Sequence, residues 1–288
     1  MNDKKIVYLN GQFLPAEHAK ISVLDRGFIF GDGVYEVIPV YSGRLFRLQH
    51  HLKRLQNSLD GIRLKNPLPL DKWVELLERL VKENDGGDQS VYLQVTRGVA
   101  KRDHAFPKNV EPTVFAMCDR VGEVPPELRQ GVAAVTVDDL RWKMCHIKSI
   151  ALLPNILLRQ QALDMGATEA IMIRDGEVTE GAATNVFIVR DATVATPPKS
   201  NLLLPGITRD LVVELCRKHK LPCEERTITD SELRNAEEVW LTSSTKEVIP
   251  VIRLDERPVG KGKPGPMWAQ ILRLYQEYKM TLRAGTEE

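Results

Sequence analysis

The stretch on which the fold and the chemistry depend is HIKSIALL at residues 146–153, in which Lys148 lies among apolar side chains. Most lysines are solvated surface charges, and Lys148 taken alone could be one of them. Its neighbours Ile147 and Ile150 argue against that reading, because they predict that the ammonium group is partly withdrawn from water. Burial lowers the pKa of a lysine and supplies the neutral amine that reacts with a carbonyl group.

The chain before this stretch predicts an N-terminal α/β domain over residues 1–120. Asn10-Gly11 predicts a tight hairpin turn, and leucines spaced by three and four predict an amphipathic helix over 48–62. A second helix is predicted to begin at an Asp71 cap. The segments predicted as strands are 6–10, 12–14, 34–41, 90–97 and 112–118.

Residues 121–130 contain Gly122, Pro125 and Pro126 without apolar periodicity, so they predict an interdomain linker. A C-terminal domain is then expected over 131–288. Its predicted strands are 132–137, 169–174, 185–189, 238–241 and 248–254, and its predicted helices are 155–165, 208–219 and 267–282. The hairpins imply much antiparallel pairing in an α/β fold.

Composition argues against several classes of protein. The 288 residues carry 40 basic and 39 acidic side chains, so we expect neither nucleic acid nor a membrane surface as a partner. Residues 1–5 contain no signal-peptide core, and no apolar run approaches the ~18 residues that span a bilayer. The four cysteines have no CxxC spacing and are predicted to be buried, reduced thiols of a cytoplasmic protein rather than metal ligands.

Residues 206–210 predict a helix start that binds an anion. Gly206 follows a proline, and Ile207 and Thr208 open a helix whose first amides have no carbonyl partner within the helix. Ser243 and Ser244 follow a predicted strand and could add hydroxyl donors to the same anion. The alternatives are that Thr208 only caps the helix and that the serines belong to an ordinary loop.

Further charged residues have both a surface interpretation and a functional one. Glu180 follows a hairpin turn and could hold a pyridine nitrogen protonated. Arg54 lies at the edge of the apolar face of its helix, where it could reach a phosphate. Arg102 and His104 are two residues apart on a loop and could clamp a carboxylate. The signatures GxxxxGK[ST], HExxH and GxSxG are absent from the sequence.

Taken in order, these segments resemble the fold-type IV aminotransferases, from Asp25 to about Leu254. The matching segments are Asp25-Arg26-Gly27, Phe30-Gly31-Asp32-Gly33-Val34-Tyr35-Glu36, the Lys148 stretch, Glu180-Gly181, Thr184-Asn185, Gly206-Ile207-Thr208-Arg209 and Thr242-Ser243-Ser244. The resemblance implies a two-domain α/β (α+β) enzyme that uses pyridoxal 5′-phosphate and no metal.

The resemblance also implies a role for each candidate residue. Lys148 would be the catalytic residue, which holds the cofactor covalently and carries a proton between the substrate Cα and the cofactor C4′. Glu180 would pair with the pyridinium nitrogen. The other implied cofactor contacts are Leu204 and Ser243 at the ring, and Arg54, Ile207, Thr208 and Ser244 at the phosphate.

Within this family, the sequence is most similar to the D-amino acid aminotransferases. The similarity lies in Val95-Thr96-Arg97-Gly98 followed by Arg102, His104, Phe106 and Pro107. It implies that Tyr35, Arg102 and His104 bind the substrate α-carboxylate. It also implies a homodimer in which this loop reaches the neighbouring subunit's site.

Two departures from the family pattern bear on specificity. Ala182-Ala183 stands where relatives carry serines, which affects hydroxyl support of the ring. Pro39 stands where a polar side chain faces the substrate, which affects the preferred amino acid. The expected activity is ping-pong transfer of an amino group from a D-amino acid to a 2-oxo acid. The alternatives are a branched-chain L-amino acid aminotransferase, an aminodeoxychorismate lyase, and a pyridoxal-phosphate carrier without turnover.

Overall fold

A computed structural model describes residues 5–286, which form two compact units. The first contains the described residues of Met1–Gly122 together with Ile147–Ala151. The second contains Glu123–His146 and the described residues of Leu152–Glu288. Each unit has its own β-sheet and its own apolar core, as expected of a domain.

A six-stranded antiparallel sheet forms the centre of the first unit, in the order β2-β1-β6-β5-β3-β4. Its strands are β1 (Ile6–Leu9), β2 (Gln12–Pro15), β3 (Gly33–Tyr41), β4 (Arg44–Leu45), β5 (Gln89–Thr96) and β6 (Thr113–Arg120). Its helices are α1 (Arg26–Phe30), α2 (Leu48–Gly61) and α3 (Leu70–Glu83). The predicted Asn10-Gly11 turn joins β1 to β2 with positive φ at both residues, as tight hairpins require.

Helices α2 and α3 belong to one apolar core with this sheet. Leu55 and Leu59 of α2, and Leu77 and Leu80 of α3, have no exposed surface, and each pair is spaced by three or four residues. They share their cluster with Leu93 of β5, which is also fully buried. Complete burial of one such side chain contributes about 1.5–3 kcal/mol. The leucine spacing therefore fixes which face of each helix meets the sheet.

A nine-stranded mixed sheet forms the second unit, in the order β12-β11-β10-β13-β14-β7-β8-β9, with β15 paired to β14. Its strands are β7 (Val132–Asp138), β8 (Glu169–Arg174), β9 (Glu177–Gly181), β10 (Asn185–Arg190), β11 (Thr193–Thr196), β12 (Cys223–Glu225), β13 (Glu238–Ser243), β14 (Glu247–Leu254) and β15 (Arg257–Pro258). Its helices are α4 (Pro126–Gln130), α5 (Leu153–Asp164), α6 (Ile207–Lys218), α7 (Asp230–Arg234) and α8 (Pro266–Ala284).

Strand β8 shows that this sheet is buried on both faces. Ala170 and Met172 point to one face and share a cluster with Leu158 and Ala162 of α5. Ile171, between them, points to the other face and belongs to a separate apolar cluster. Because successive side chains of a strand alternate in direction, a continuous apolar run of this kind needs cover on both sides.

The predicted α/β class with extensive antiparallel pairing is confirmed. The Asp71 cap is wrong, because α3 begins at Leu70 after Pro69 and Asp71 lies within its first turn. Helix α4 occupies part of the segment 121–130 that was expected to be a linker. Residues Ile147–Ala151, on the C-terminal side of that segment, belong to the first unit. None of the helices within residues 5–286 is long and apolar enough to cross a membrane.

Candidate active site

Lys148 lies in the segment Ile147–Ala151, which packs beside β3 in the first unit. The amide of Tyr35 donates to the Lys148 carbonyl at 2.9 Å, and the amide of Lys148 donates to Ser58 Oγ at 3.1 Å. The side chain is half-buried, and its Nζ lies 4.1 Å from the centroid of the Tyr35 ring. The backbone is thus held on both sides, and the amine faces one aromatic ring.

Arg54 belongs to a buried charged cluster that the sequence did not predict. Its Nε and Nη2 donate to the two carboxylate oxygens of Glu36, each at 2.8 Å. His51 Nδ1 lies 2.7 Å from Glu36 Oε2. Glu36 and His51 have no exposed surface, and Arg54 is 5% exposed. The two-point pairing fixes the plane of the Arg54 guanidinium.

This cluster keeps Glu36 charged and His51 neutral. Burial would raise the pKa of Glu36, but the Arg54 charge and the hydrogen bonds from Arg54 and His51 lower it to about 2. Burial lowers the pKa of His51 and outweighs the hydrogen bond and the charge of Glu36, which would raise it, and the Arg54 and Lys148 charges lower it further. The neutral ring donates from Nδ1 to Glu36, which leaves Nε2 as an acceptor. That nitrogen is buried and has no hydrogen-bond partner among residues 5–286.

Arg102 and His104 lie together on the exposed loop between β5 and β6. The Arg102 guanidinium carbon is 5.5 Å from the centroid of the Phe30 ring, and the His104 ring is 5.4 Å from the same centroid. Tyr35, the third residue predicted to bind the carboxylate, stacks on Tyr92 at 5.7 Å. The structure therefore brings Arg102 and His104 to one ring and brings Tyr35 to Lys148.

Glu180 lies in the buried part of β9 in the second unit and is 5% exposed, so its surface interpretation is wrong. Its Oε1 accepts a hydrogen bond from Arg141. Its Oε2 accepts from the Leu204 amide at 3.1 Å and from Asn185 Nδ2 at 3.3 Å. Asn185 Nδ2 also donates to the Leu204 carbonyl at 2.9 Å, which ties Glu180 to the segment before α6.

Burial makes the Glu180 carboxyl a weak acid. It raises the pKa of Glu180 to about 7, although the Arg141 guanidinium and the Leu204 amide favour the charged form. Arg141 is also paired with Asp139 through two contacts of 2.9 Å, so its charge is shared by two carboxylates. Since a carboxylate oxygen can accept two hydrogen bonds, Oε1 can accept one more from a ligand.

The start of α6 carries the amides predicted to bind an anion. Gly206 is the N-cap, so the interpretation of Thr208 as the cap is wrong. A Cβ at Gly206 would lie 2.0 Å from Asn185 Oδ1, which explains why this position lacks a side chain. The amides of Ile207 and Thr208 open a helix of 12 residues with no side-chain cap. They have no carbonyl partner within the helix and carry the positive end of its dipole.

Ser243 and Ser244 lie at the turn from β13 to β14. Ser243 Oγ accepts from the Lys246 amide at 3.2 Å, and Ser244 is half-buried. The preceding Thr242 is paired with Asn185 across the β10–β13 ladder. Its Oγ1 is buried and has no hydrogen-bond partner in the described part of the chain. Thr242 and Ser243 are therefore on the strand next to Asn185, which contacts Glu180, and Ser244 follows directly after that strand.

At the two departures from the family pattern, Ala182 and Pro39 are buried and Ala183 is exposed. Ala182 donates its amide to the Ala170 carbonyl at 3.0 Å and accepts from Asn155 Nδ2 at 2.8 Å, so only its backbone supplies polar groups. Pro39 is buried in β3 opposite Ser90, on the strand face that carries Tyr35. Neither position offers a side-chain hydroxyl to a ligand.

With these two groups of residues described, the family of the chain can be stated. Residues 33–254 match the family described as Amino-transferase class IV. The match covers most of the 288 residues and every candidate residue from Tyr35 to Ser244. The chain belongs to this family, and the predicted class of enzyme is confirmed.

Curated relatives with the name D-alanine aminotransferase are similar over nearly the whole chain. The protein of Staphylococcus aureus (strain MW2) is 40% identical over 273 residues, which cover 94% of this chain and 97% of the relative. The protein of Bacillus licheniformis is 42% identical over 265 residues, which cover 92% and 94%.

Solved structures of branched-chain aminotransferases have the same fold. The enzyme of the thermophilic archaeon Thermoproteus uzoniensis, solved with norvaline, has a TM-score of 0.89 and 27% identity, covering 99% of this chain and 96% of that one. The Escherichia coli enzyme has a TM-score of 0.90 and 25% identity, covering 99% and 96%. The predicted fold-type IV architecture is confirmed.

Proposed function

We propose that this chain transfers an amino group between a D-amino acid, such as D-alanine or D-glutamate, and a 2-oxo acid, such as pyruvate or 2-oxoglutarate. The observation that carries the proposal is the placement of Lys148, half-buried with its Nζ against Tyr35 in a class IV aminotransferase chain. Identity of 40% to a D-alanine aminotransferase over 94% of this chain supports the D-amino acid substrates.

The residues fit pyridoxal 5′-phosphate as the cofactor. The half-buried amine of Lys148 suits its aldehyde. Glu180, buried and able to accept one more hydrogen bond, suits a protonated ring nitrogen. The uncapped start of α6 and the unpartnered hydroxyl of Thr242 suit a polar anion such as its phosphate. We assign Leu204 and Ser243 to the ring, and Arg54, Ile207, Thr208 and Ser244 to the phosphate.

In the proposed reaction the residues of this chain hold and move protons. When bound, the cofactor supplies an electron-withdrawing ring that accepts the electron pair released at the substrate Cα. Lys148 Nζ, in its neutral form, takes the proton from Cα. Glu180 favours a proton on the ring nitrogen, because a positive partner offsets the cost of its buried carboxylate. The Tyr35 ring lies against the Lys148 amine and leaves it open to a substrate from one side.

Arg102 and His104 are assigned to the substrate α-carboxylate. Both side chains are exposed on the loop and both pack on Phe30, so their donors are available to a ligand. A charge-assisted pair of this kind contributes about 1.5–3 kcal/mol per bond. Every amino acid has this carboxylate, so the assignment predicts no preference for one side chain. It predicts the handedness of the substrate, because a fixed carboxylate determines which face presents the Cα–H to Lys148.

A homodimer is part of the proposal. In the first unit Val23 and Phe28 are 72% and 71% exposed. In the second unit Leu153, Ile156 and Leu157 expose 59–65% of their surface along one side of α5. Apolar groups at this density on a surface usually mark an interface.

The cytoplasmic location stays a prediction, supported by the free state of all four cysteines.

A branched-chain L-amino acid aminotransferase is the second candidate. The TM-score of 0.89 to the Thermoproteus uzoniensis enzyme favours it. The Arg102/His104 pair and the higher identity to the D-alanine aminotransferases favour the first candidate. The lyase and carrier alternatives would use the same Lys148. A lyase would release its product without consuming a 2-oxo acid, and a carrier would bind the cofactor without turnover.

The experiment that separates these candidates incubates the purified protein with single D- or L-amino acids and 2-oxoglutarate. We expect D-alanine to yield pyruvate and D-glutamate, and Lys148→Ala to yield neither. Consumption of L-leucine with L-glutamate as the product would establish the branched-chain activity instead. Release of product without consumption of 2-oxoglutarate would indicate a lyase, and bound cofactor without turnover a carrier.

A further inference from the structure

A buried arginine holds the loop that carries Arg102 and His104. Arg26, the first residue of α1, is 4% exposed. Its Nη1 donates to the carbonyl oxygen of Asp103 at 2.6 Å and lies 3.4 Å from that of Ala105. These two carbonyls flank His104, so the guanidinium contacts the loop backbone on both sides of that residue.

Arg26 is itself fixed by a carboxylate that it shares with a second arginine. Asp32 Oδ2 accepts from Arg26 Nε and from Arg97 Nε, each at 2.8 Å. Burial would raise the pKa of Asp32, but the hydrogen bonds from Arg97 and Arg26 lower it, so Asp32 stays charged at neutral pH. Arg97 also lies 3.8 Å from the Phe106 ring, farther along the same loop. Asp32 therefore anchors two cations that face this loop.

Phe30 completes this support at the other end of α1. The guanidinium carbon of Arg26 is 4.8 Å from the centroid of its ring, and that of Arg102 is 5.5 Å away. The His104 ring centroid is 5.4 Å from the same point. Arg26 therefore holds the loop backbone, while Phe30 holds the two side chains that the backbone carries.

We propose that Arg26 is a positioning residue for substrate recognition, which sets the loop so that Arg102 and His104 can meet the α-carboxylate. The proposal rests on the proposed function, because it takes the role of those two residues from there. Arg26 itself is assigned no contact with substrate. A lysine at this position lacks the planar fork of donors, so it cannot satisfy Asp32 and the loop carbonyls together.

The test compares Arg26→Lys with Arg79→Lys as a matched control. Arg79 is in the same unit, has an exposed side chain and lies 4.1 Å from the Phe13 ring. Amide hydrogen exchange over residues 99–108 reports whether the loop is held, and needs no activity. Steady-state kinetics with D-alanine and D-glutamate report KM and kcat separately.

For Arg26→Lys we expect faster exchange in the loop, a KM about tenfold higher for both substrates, and kcat within about twofold of wild type. Arg79→Lys should change none of these. In an Arg102→Leu background, Arg26→Lys should add little further loss, because both act through the same contact.

Unchanged loop exchange, or losses that add fully in the double variant, would overturn the positioning role. A fall in kcat together with lost cofactor absorbance would also overturn it, since that pattern indicates a general structural defect. If wild-type protein consumes no D-amino acid, the proposed function fails, and the exchange measurement still decides whether Arg26 holds the loop.

Discussion

Replacing Glu180 by glutamine should remove a large part of the pH dependence of stability in the cofactor-free protein. Burial raises the pKa of this carboxyl from 4.5 to about 7 in the folded chain. A carboxyl with a higher pKa in the folded state prefers to be protonated when folded. It therefore stabilises the fold below pH 4.5, and this contribution is lost as the pH rises through 7.

The two pKa values set the magnitude. With 4.5 for the unfolded chain and about 7 for the folded one, Glu180 contributes on the order of 3 kcal/mol at pH 5 and almost nothing at pH 8. Wild type should therefore lose roughly 2–3 kcal/mol more than Glu180→Gln between these two pH values. Glutamine pairs more weakly with Arg141, which shifts the free energy of unfolding of the variant by a constant amount. This shift does not change the slope of that free energy against pH.

Urea unfolding of both proteins at pH 5, 6, 7 and 8 measures this difference. Glu177→Gln is the matched control, because Glu177 lies on the same strand and is exposed. Parallel curves for wild type and Glu180→Gln would refute the reasoning, since they would show that the Glu180 pKa is not raised. Added pyridoxal phosphate should reduce the slope in wild type only, because a protonated ring nitrogen stabilises the carboxylate.

Three further changes test the rest of the site. Lys148→Ala should form no lysine adduct with pyridoxal phosphate after borohydride reduction, and an adduct at another lysine would contradict the assignment. Arg102→Leu should lose on the order of 10- to 150-fold in kcat/KM for D-alanine and D-glutamate alike, with cofactor absorbance unchanged. Glu36→Gln should lower the free energy of unfolding at pH 7 by ~3–5 kcal/mol in urea titrations, because it leaves Arg54 buried without its carboxylate. Since the pKa of Glu36 is lowered to about 2, wild type should lose this advantage as the pH falls below 4.5, and a pH-independent difference would contradict it.

The elements that the sequence predicts best are those fixed by local periodicity. Helix α2 follows from leucines at spacings of three and four, and the β1–β2 hairpin from Asn10-Gly11. The sequence predicts less well those helix boundaries that depend on contacts outside the local pattern. Asp71 resembles a cap locally, but the N-cap is Pro69, so the helix starts two residues earlier than predicted. The short segments β12 and α7 have too few residues to show any period.

The order of the motifs along the chain identifies the candidate residues. It does not identify the charged partners that shift their pKa values. Arg54 and Glu36 are 18 residues apart, and Arg141 and Glu180 are 39 apart. Pairing over such separations depends on how helices and strands pack, which no local spacing encodes. The same holds for Arg26, whose contact with the Asp103 carbonyl spans 77 residues.

A signal for these pairs is nevertheless present in the strands. Glu36 lies two residues from Val34 and Ile38, both without exposed surface, and Glu180 lies two residues from the buried Val178. Since residues i and i+2 of a strand share a face, an acid in register with buried apolar side chains must itself point inward. An inward carboxylate needs a buried cation or a proton, because an isolated buried charge costs several kcal/mol. Glu36 is paired with a buried cation, Arg54. Burial raises the pKa of Glu180 to about 7, because the charge of Arg141, which also pairs with Asp139, only partly offsets it. Burial raises the pKa of both acids, but at Glu36 the charge of Arg54 and the hydrogen bonds from Arg54 and His51 outweigh it, whereas at Glu180 the contacts with Arg141 do not. Glu180 is therefore the acid better suited to a positive ligand.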